Sequence, residues 1–289
     1  MKKYHRSLLI FSLVFALDII LWSQIIYQEK DEWSFRMLDV GQGDSSLLQF
    51  SSGAVILTDA GPSRNATRVL DTISLPVSKY IDLAIITNPE LDHYGGFGDI
   101  LDRYEVGAFI VNGRTPSADS LPWSTLMKKI KDKSIPVITV RRGDQITQSG
   151  NSIYIISPDQ NFRESGELND TGIVQFVKTT STSLLLTADV GFDVEQYLLS
   201  SGLPRVDILK VGHHGSKYSS SEDFLRAILP KVAVISVGEN RYGHPAPEAV
   251  SRLRGIVGEN IFDTKRYGTI TISLREGSLK IKTDRDDRR

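Results

Sequence analysis

Residues 87–96 read Thr87-Asn88-Pro89-Glu90-Leu91-Asp92-His93-Tyr94-Gly95-Gly96 and follow directly on the apolar run Ile81–Thr87. That run is rich in β-branched and apolar residues and is closed by a turn, which predicts a buried strand emptying into a loop. Asp92 and His93 are adjacent on the turn, so both can reach one cation, and carboxylate and imidazole are good ligands for zinc or manganese. The two glycines permit the tight turn and the close approach of a helix start. Taken alone, Asp-His-x-Gly-Gly is a weak signal, because a single histidine is more often structural than a ligand. Its weight comes from the rest of the chain.

The chain has five histidines. His5 stands at the extreme N-terminus. His93, His213, His214 and His244 all sit in Gly/Pro-punctuated loops directly after predicted strands, where sites are usually built. Leu184-Leu185-Leu186-Thr187-Ala188-Asp189 is a buried strand that delivers an acid at its end, or an acid that merely caps the next helix. Lys210-Val211-Gly212-His213-His214-Gly215-Ser216 repeats the strand-then-loop pattern. So does Ile235-Ser236-Val237-Gly238, followed by Asn240-Arg241-Tyr242-Gly243-His244-Pro245.

Short strands and helices alternate throughout. Strands are expected at Phe35–Val40, Ser45–Phe50, Ala54–Asp59, Gly107–Asn112, Val137–Arg141, Ser152–Ser157, Gly172–Thr179, Ser183–Asp189, Val206–Val211, Lys231–Val237, Thr269–Leu274 and Leu279–Lys282. Helices are expected at Arg64–Ile73, Ser120–Lys133, Val194–Ser201, Ser221–Ile228 (capped by Ser221) and Pro247–Gly255. Meanders with interspersed helices suggest sheets covered by helices.

The 289 residues fit one α/β domain of about 250 residues or two small ones. Lys+Arg is 34 against Asp+Glu 35, a net charge of −1, so no global basic field draws in nucleic acid and any DNA binding must be local. There are no cysteines, which excludes disulfides, thiolate metal sites and a cysteine nucleophile. Lys2, Lys3 and Arg6 precede an apolar stretch from Leu8 to Tyr27, and Asp31 and Glu32 follow it. About 20 apolar residues cross a bilayer, and the charge order puts the N-terminus in the cytoplasm and the rest outside. A cleaved signal peptide is the competitor, but bulky Ile20, Leu21, Trp22 and Ile25 continue to the end of the run with no Ala-x-Ala. Asp18 near mid-membrane is either paired, protonated or a tolerated polar residue. The expected organisation is an anchor over residues 1–30, a folded domain over 31–283 and a charged tail over 284–289, fraying from Thr283 onward.

Together these pieces resemble the metallo-β-lactamase superfamily, and within it the hydrolase domain of ComEC-type DNA-uptake proteins. The resemblance runs from about Phe35 to the end. It rests on Leu38-Asp39-Val40-Gly41-Gln42-Gly43-Asp44-Ser45, Asp59-Ala60-Gly61, Asp92-His93-Tyr94-Gly95-Gly96, Leu186-Thr187-Ala188-Asp189, Val211-Gly212-His213-His214-Gly215-Ser216 and Asn240-Arg241-Tyr242-Gly243-His244-Pro245, all in matching order and spacing. It implies an α/β fold of four layers (αββα), two mixed sheets flanked by helices, with two metal ions at one edge. Carried over, Asp92, His93 and His244 hold one ion, Asp189 bridges both, and Asp59 orients the metal loop through hydrogen bonds. His213 and His214 line the substrate pocket, with His214 contacting the scissile phosphate or protonating the leaving oxygen. From their positions beside these loops, Lys217 either meets a phosphate as a point charge or is an ordinary exposed lysine, Arg241 and Tyr242 are candidate substrate contacts beside His244, and Tyr94 either stacks a base or simply packs.

One departure stands out. The superfamily loop usually reads His-x-His-x-Asp-His, and here its first two positions are Asn88 and Glu90. The other ion would then be held by Asn88, Glu90, Asp189 and Asn169 or Asp170, an all-oxygen set that favours manganese, magnesium or calcium over zinc. The resemblance implies one or two divalent ions (manganese or zinc), water activated by the metal, and a phosphodiester of single- or double-stranded DNA as substrate outside the membrane. ComEC-type proteins carry a multi-span channel and this chain has one predicted span, so it either acts beside a separately encoded channel protein or has nothing to do with uptake. Two rivals are the same fold acting on another phosphoester, such as a cell-wall phosphocholine ester, and a degenerate surface-binding domain in which Asn88 marks lost catalysis.

Overall fold

Side chains alternate across each strand, and that alternation sorts the apolar residues into three interiors. The computed structural model describes residues 11–19, 33–62, 65–72, 79–116, 120–164, 167–275 and 277–285. In chain order its strands are β1 (Trp33–Met37), β2 (Ser46–Phe50), β3 (Val55–Thr58), β4 (Tyr80–Ile86), β5 (Glu105–Val111), β6 (Val137–Thr139), β7 (Gln145–Gln148) and β8 (Asn151–Ser157). There follow β9 (Val174–Lys178), β10 (Ser183–Leu186), β11 (Ile208–Lys210), β12 (Val232–Ile235), β13 (Ile261–Asp263), β14 (Ile270–Arg275) and β15 (Ser278–Thr283). They form two sheets, ordered β15-β14-β1-β2-β3-β4-β5-β6 and β13-β12-β11-β10-β9-β8-β7.

Along β2 and β3, Leu48 and Ile56 point one way and Leu47, Val55 and Leu57 the other, as the two-residue period requires. The first set meets Ile153, Ile155, Leu184, Leu186, Ile208 and Val234 of the second sheet, so this interior lies between the sheets. The opposite set packs under the helices Asn65–Thr72, Phe97–Ile100 and Leu121–Asp132 through Ala66, Leu70, Phe97, Ile100, Leu126 and Ile130. On the far side of the second sheet, Leu185, Leu209, Ala233 and Ile235 pack under Phe192–Ser200, Glu222–Ile228 and Pro247–Val257. The result is helices, sheet, sheet, helices, the expected four layers.

Both sheets are mixed, and their parallel portions position the site. β3 to β6 run parallel, as do β10 to β13, while β14, β1, β2 and β3 and the β7 to β10 meander are antiparallel. Ligand sites in such sheets open beyond the carboxyl ends of the parallel strands. The two halves touch there. Gly238, past β12, lies against residues 41 and 42, and a Cβ on it would sit 2.3 Å from the carbonyl carbon of Gly41. Only a glycine allows that approach.

One expectation changes, and another lies largely outside the described residues. The charged end is held rather than frayed through Arg285: its side chain binds Asp39 and its backbone N–H donates to Tyr267 (2.9 Å). Residues 286–289 lie outside the described residues. The expected membrane span over residues 8–27 also falls largely outside them. Its described part, 11–19, is helical and exposes Phe11, Leu13, Val14, Phe15, Leu17 and Ile19, and no helix among the described residues is long and apolar enough to cross a membrane.

Candidate metal centre

Five loops leave the carboxyl ends of parallel strands and converge. Asp59 follows β3, Asn88–His93 follow β4, Asp189 follows β10, His213 and His214 follow β11, and the loop from Ser236 to His244 follows β12. Asp59, Ala188, His213 and His214 all have positive φ, between 46° and 59°. Non-glycine residues held in this region cost of order 1–3 kcal/mol each, and such strain gathers at functional sites. Here it turns side chains at strand ends back towards one point.

His93 is fully buried. Its Nδ1 is 2.9 Å from Asp59 Oδ2 and its Nε2 is 3.2 Å from Asp189 Oδ2. Asp59 is itself fixed by Thr87, whose N–H donates to Oδ1 (2.9 Å) and whose hydroxyl donates to Oδ2 (2.6 Å). Asp59 thus fixes the ring of His93 and leaves Nε2 facing inward. His214 has Nδ1 at 2.9 Å from the carbonyl oxygen of Ser236, an acceptor that places the proton on Nδ1. Its Nε2 lies 3.3 Å from Asp92 Oδ2 and 3.4 Å from Asp189 Oδ2. One ligand atom from each of Asp92, His93, Asp189 and His214 lies within 4.8 Å of all the others.

His244, the expected last ligand of this ion, stands outside that group: the left-handed turn at His213 and His214 brings His214 to Asp189. His244 lines the same cavity further out, its ring centroid 5.6 Å from that of His213. Burial, with the neighbouring imidazoles of His213 and His214, holds the His244 pKa below its ordinary value. Asp189 follows the strand as an inward-pointing acid and not as a helix cap, since Gly191 occupies the cap position of Phe192–Ser200.

Below the group lies a buried charge cluster that sequence reasoning missed. Lys210 Nζ binds Asp44, donates to the carbonyl of Ala188 (2.7 Å) and stands 3.7 Å from Asp189 Oδ1. Three buried carboxylates, Asp44, Asp59 and Asp189, therefore face one buried ammonium. Burial disfavours charge on His93 and His214, yet the carboxylates win: Asp189 and Asp59 hold His93 well above the ordinary imidazole range, and Asp189 and Asp44 push His214 up to about 10. Burial works against ionised Asp189 as well, but His214, His93 and Lys210 hold it well below the usual carboxylate range. The signal for Lys210 was a lone charge inside the apolar strand Ile208-Leu209-Lys210-Val211, and a charge there needs a partner.

The donor set fits a divalent cation. The buried side-chain atoms without a hydrogen-bond partner among the described residues include His93 Nε2 and Asp189 Oδ1 of the converging group, with Asp44 Oδ1, Asn88 Oδ1 and His244 Nδ1 around it. The residual negative charge that lifts the two imidazoles is what a cation would neutralise.

The first two positions of the loop are arranged differently. Asn88 is fully buried, and its Nδ2 donates to Glu90 Oε2 (2.8 Å) and to Asn169 Oδ1 (2.6 Å). An amide N–H₂ thus ties together Glu90 and Asn169, the residues expected to hold a second ion. Asn169, not Asp170, lines the cavity.

The cavity over the centre measures about 410 Å³ and is walled by Gln42, Pro62, Leu91, His213, Tyr242 and His244 above the acids. Of the expected substrate contacts, Tyr242 lines it, Arg241 is exposed on the same turn, and Lys217 lays its Nζ over the Tyr218 ring, 4.9 Å away. Tyr94 is buried, edge-on to Trp123, with its hydroxyl 3.2 Å from Ser120 Oγ, so it packs and does not stack substrate.

Comparisons with known proteins bear on the family and the fold. The family model of the Metallo-beta-lactamase superfamily matches residues 38–239. ComE operon protein 3 of Bacillus subtilis is 26% identical over 245 residues, which are 78% of this chain and 31% of the relative. Recombination protein 2 of Haemophilus influenzae is 28% identical over 278 residues, 94% of this chain and 32% of the relative. The chain therefore spans about a third of the length of these relatives, which are competence proteins of the ComEC type. Among solved structures, the metallo-beta-lactamase fold protein YhfI from Bacillus subtilis superposes with a TM-score of 0.55 at 13% identity, covering 88% of this chain and all of that one.

Proposed function

Because this chain belongs to the metallo-β-lactamase superfamily, whose members are generally metal-dependent hydrolases, we propose that it is a metal-dependent phosphodiesterase that cuts DNA outside a membrane to which its N-terminus anchors it. The observation that carries this reading is the convergence of Asp92, His93, Asp189 and His214 from loops far apart in sequence. These four hold one divalent cation, manganese or zinc. The cation supplies Lewis acidity, polarising a phosphoryl oxygen and acidifying water.

The chain's own residues do the rest. Asp59 keeps the His93 ring oriented, and Lys210 holds Asp189 ionised and in place. With His214 in the metal group, the contact to the scissile phosphate and the proton for the leaving oxygen pass to His213, which faces the cavity. Glu90, Asp92 and Asp189 make the cavity floor acidic, so a phosphodiester enters only when a cation offsets them. Asn88, by donating to Glu90 and Asn169, ties into one hydrogen-bonded cluster the residues expected to hold a second ion. DNA as substrate rests on the competence and recombination relatives, and a separate channel protein is the partner such a role needs. Another phosphoester is the alternative substrate.

The test is an assay of the purified chain with manganese on single- and double-stranded DNA. The reading expects cleavage by the native chain and none by Asp189→Ala. No cleavage by either overturns it, and hydrolysis of a small phosphoester alone moves the assignment to that class.

A further inference from the structure

We propose that Tyr242, stacked on His244 at the mouth of the cavity, is a platform for an unpaired nucleobase, so that this site takes single-stranded polynucleotide in preference to duplex. The inference rests on the phosphodiesterase reading and specifies its substrate. Tyr242 is 77% exposed although it lines the cavity, and its ring lies 5.9 Å from that of His244 at an interplanar angle of 22°. An exposed ring at the cavity mouth presents an apolar face with a polar tip, the kind of surface on which a flat partner packs.

The turn that carries it is built, not loose. Asn240 uses its whole side chain on it: Nδ2 donates to the carbonyls of Gly238 (2.9 Å) and His244 (2.8 Å), and Oδ1 accepts from the N–H of Tyr242 (3.0 Å) and of His244 (3.0 Å). One side chain thus fixes the backbone that carries both rings, which lowers the ordering cost of binding. Pro62 and Leu91, the latter 49% exposed, line the same cavity and offer apolar surface across from the ring. Arg241, next to Tyr242 and exposed on the same turn, supplies a positive charge within reach of a phosphate backbone at the mouth. Base–aromatic stacking tolerates any sequence because every base has a π-face, and those faces are covered within a duplex.

Alanine in place of such a ring weakens binding about 5- to 150-fold per base. The experiment measures fluorescence anisotropy with the manganese-loaded full chain. Its probes are a nuclease-resistant phosphorothioate oligothymidylate, a phosphorothioate strand of abasic sites of equal length, and a duplex. Tyr242→Ala is expected to weaken the oligothymidylate by at least about 5-fold and the abasic strand by less than about 2-fold. Tyr242→Trp keeps the native affinity, and Asn240→Ala follows Tyr242→Ala. Equal losses on both strands, no loss on either, or duplex bound as tightly as single strand overturns the inference. Base-dependent binding without cleavage of ordinary DNA upholds the platform and overturns the hydrolase reading alone. No binding of any probe by the native chain overturns both.

Discussion

Lys210→Met removes the ammonium that faces Asp44, Asp59 and Asp189. Lys210 is 4% exposed, bound to Asp44 and 3.7 Å from Asp189 Oδ1, so its loss leaves a buried carboxylate uncompensated. Removing one partner of a buried ion pair costs about 3–5 kcal/mol. A chain of this size loses about 2–4 °C of melting temperature per kcal/mol, which puts the expected fall near 10 °C. The double variant Lys210→Met/Asp44→Asn removes both members and is expected to recover most of the loss, giving a coupling energy of about 2 kcal/mol or more in a double-mutant cycle. Denaturant unfolding read by circular dichroism measures both. Added manganese is expected to raise the melting temperature of Lys210→Met more than that of the native chain, since the centre has gained a negative charge. If Lys210→Met unfolds within about 1 kcal/mol of native, or the double variant is no better than the single one, the ammonium does not neutralise this cluster.

Three further outcomes are expected. Gly238→Ala places a Cβ 2.3 Å from Gly41 C and 2.4 Å from Gln42 N, so it should cost about 3 kcal/mol or more in chemical unfolding, and a change below about 1 kcal/mol would mean the two halves do not meet there. Glu195, buried while accepting from the N–H groups of Ser220 and Ser221, has its pKa pushed up by burial from 4.5 to about 6. The folded state therefore keeps a proton the unfolded chain releases, and stability should decline relative to Glu195→Gln by about 2 kcal/mol as pH rises from 4.5 through 6, whereas parallel curves would show Glu195 ionising as it does in the unfolded chain. Asn88→His gives the first loop position an imidazole, and elemental analysis should rise from one manganese or zinc per chain to two, while an unchanged count would show that Asn88 is not what displaces the second ion.

How far the sequence carried the fold can be traced to particular residues. The apolar runs around Leu47, Ile85, Leu185 and Ala233 marked central strands, because burial on both faces leaves a continuous apolar signature. Ser221 marked a helix start, and its side chain accepts from Phe224 N–H. β7 went unseen because Gln145-Ile146-Thr147-Gln148 lies at a sheet edge with little to bury, and β13 because three residues carry no period. Leu38 and Val40 were read as strand, yet they are buried in the loop after β1. Burial makes a residue apolar whatever its backbone does.

At the site, residue type and order single out Asp92, His93 and Asp189, which the fold brings together. The approach of His214 to that group was not legible, because it turns on the positive φ values of 47° and 53° at His213 and His214, which no local pattern announces. The roles of Asp44 and Lys210 needed the two sheets face to face, since they are 166 positions apart (210 − 44) and meet only through packing.

Crystals of the chain grown with manganese, measured for anomalous scattering at the manganese edge, would locate the ion itself. A single peak within about 2.5 Å of ligand atoms of Asp92, His93, Asp189 and His214 is the expected result. A peak bound by His244 in place of His214, a second peak at Asn88, Glu90 and Asn169, or no peak at all would contradict a one-cation centre built from these four side chains.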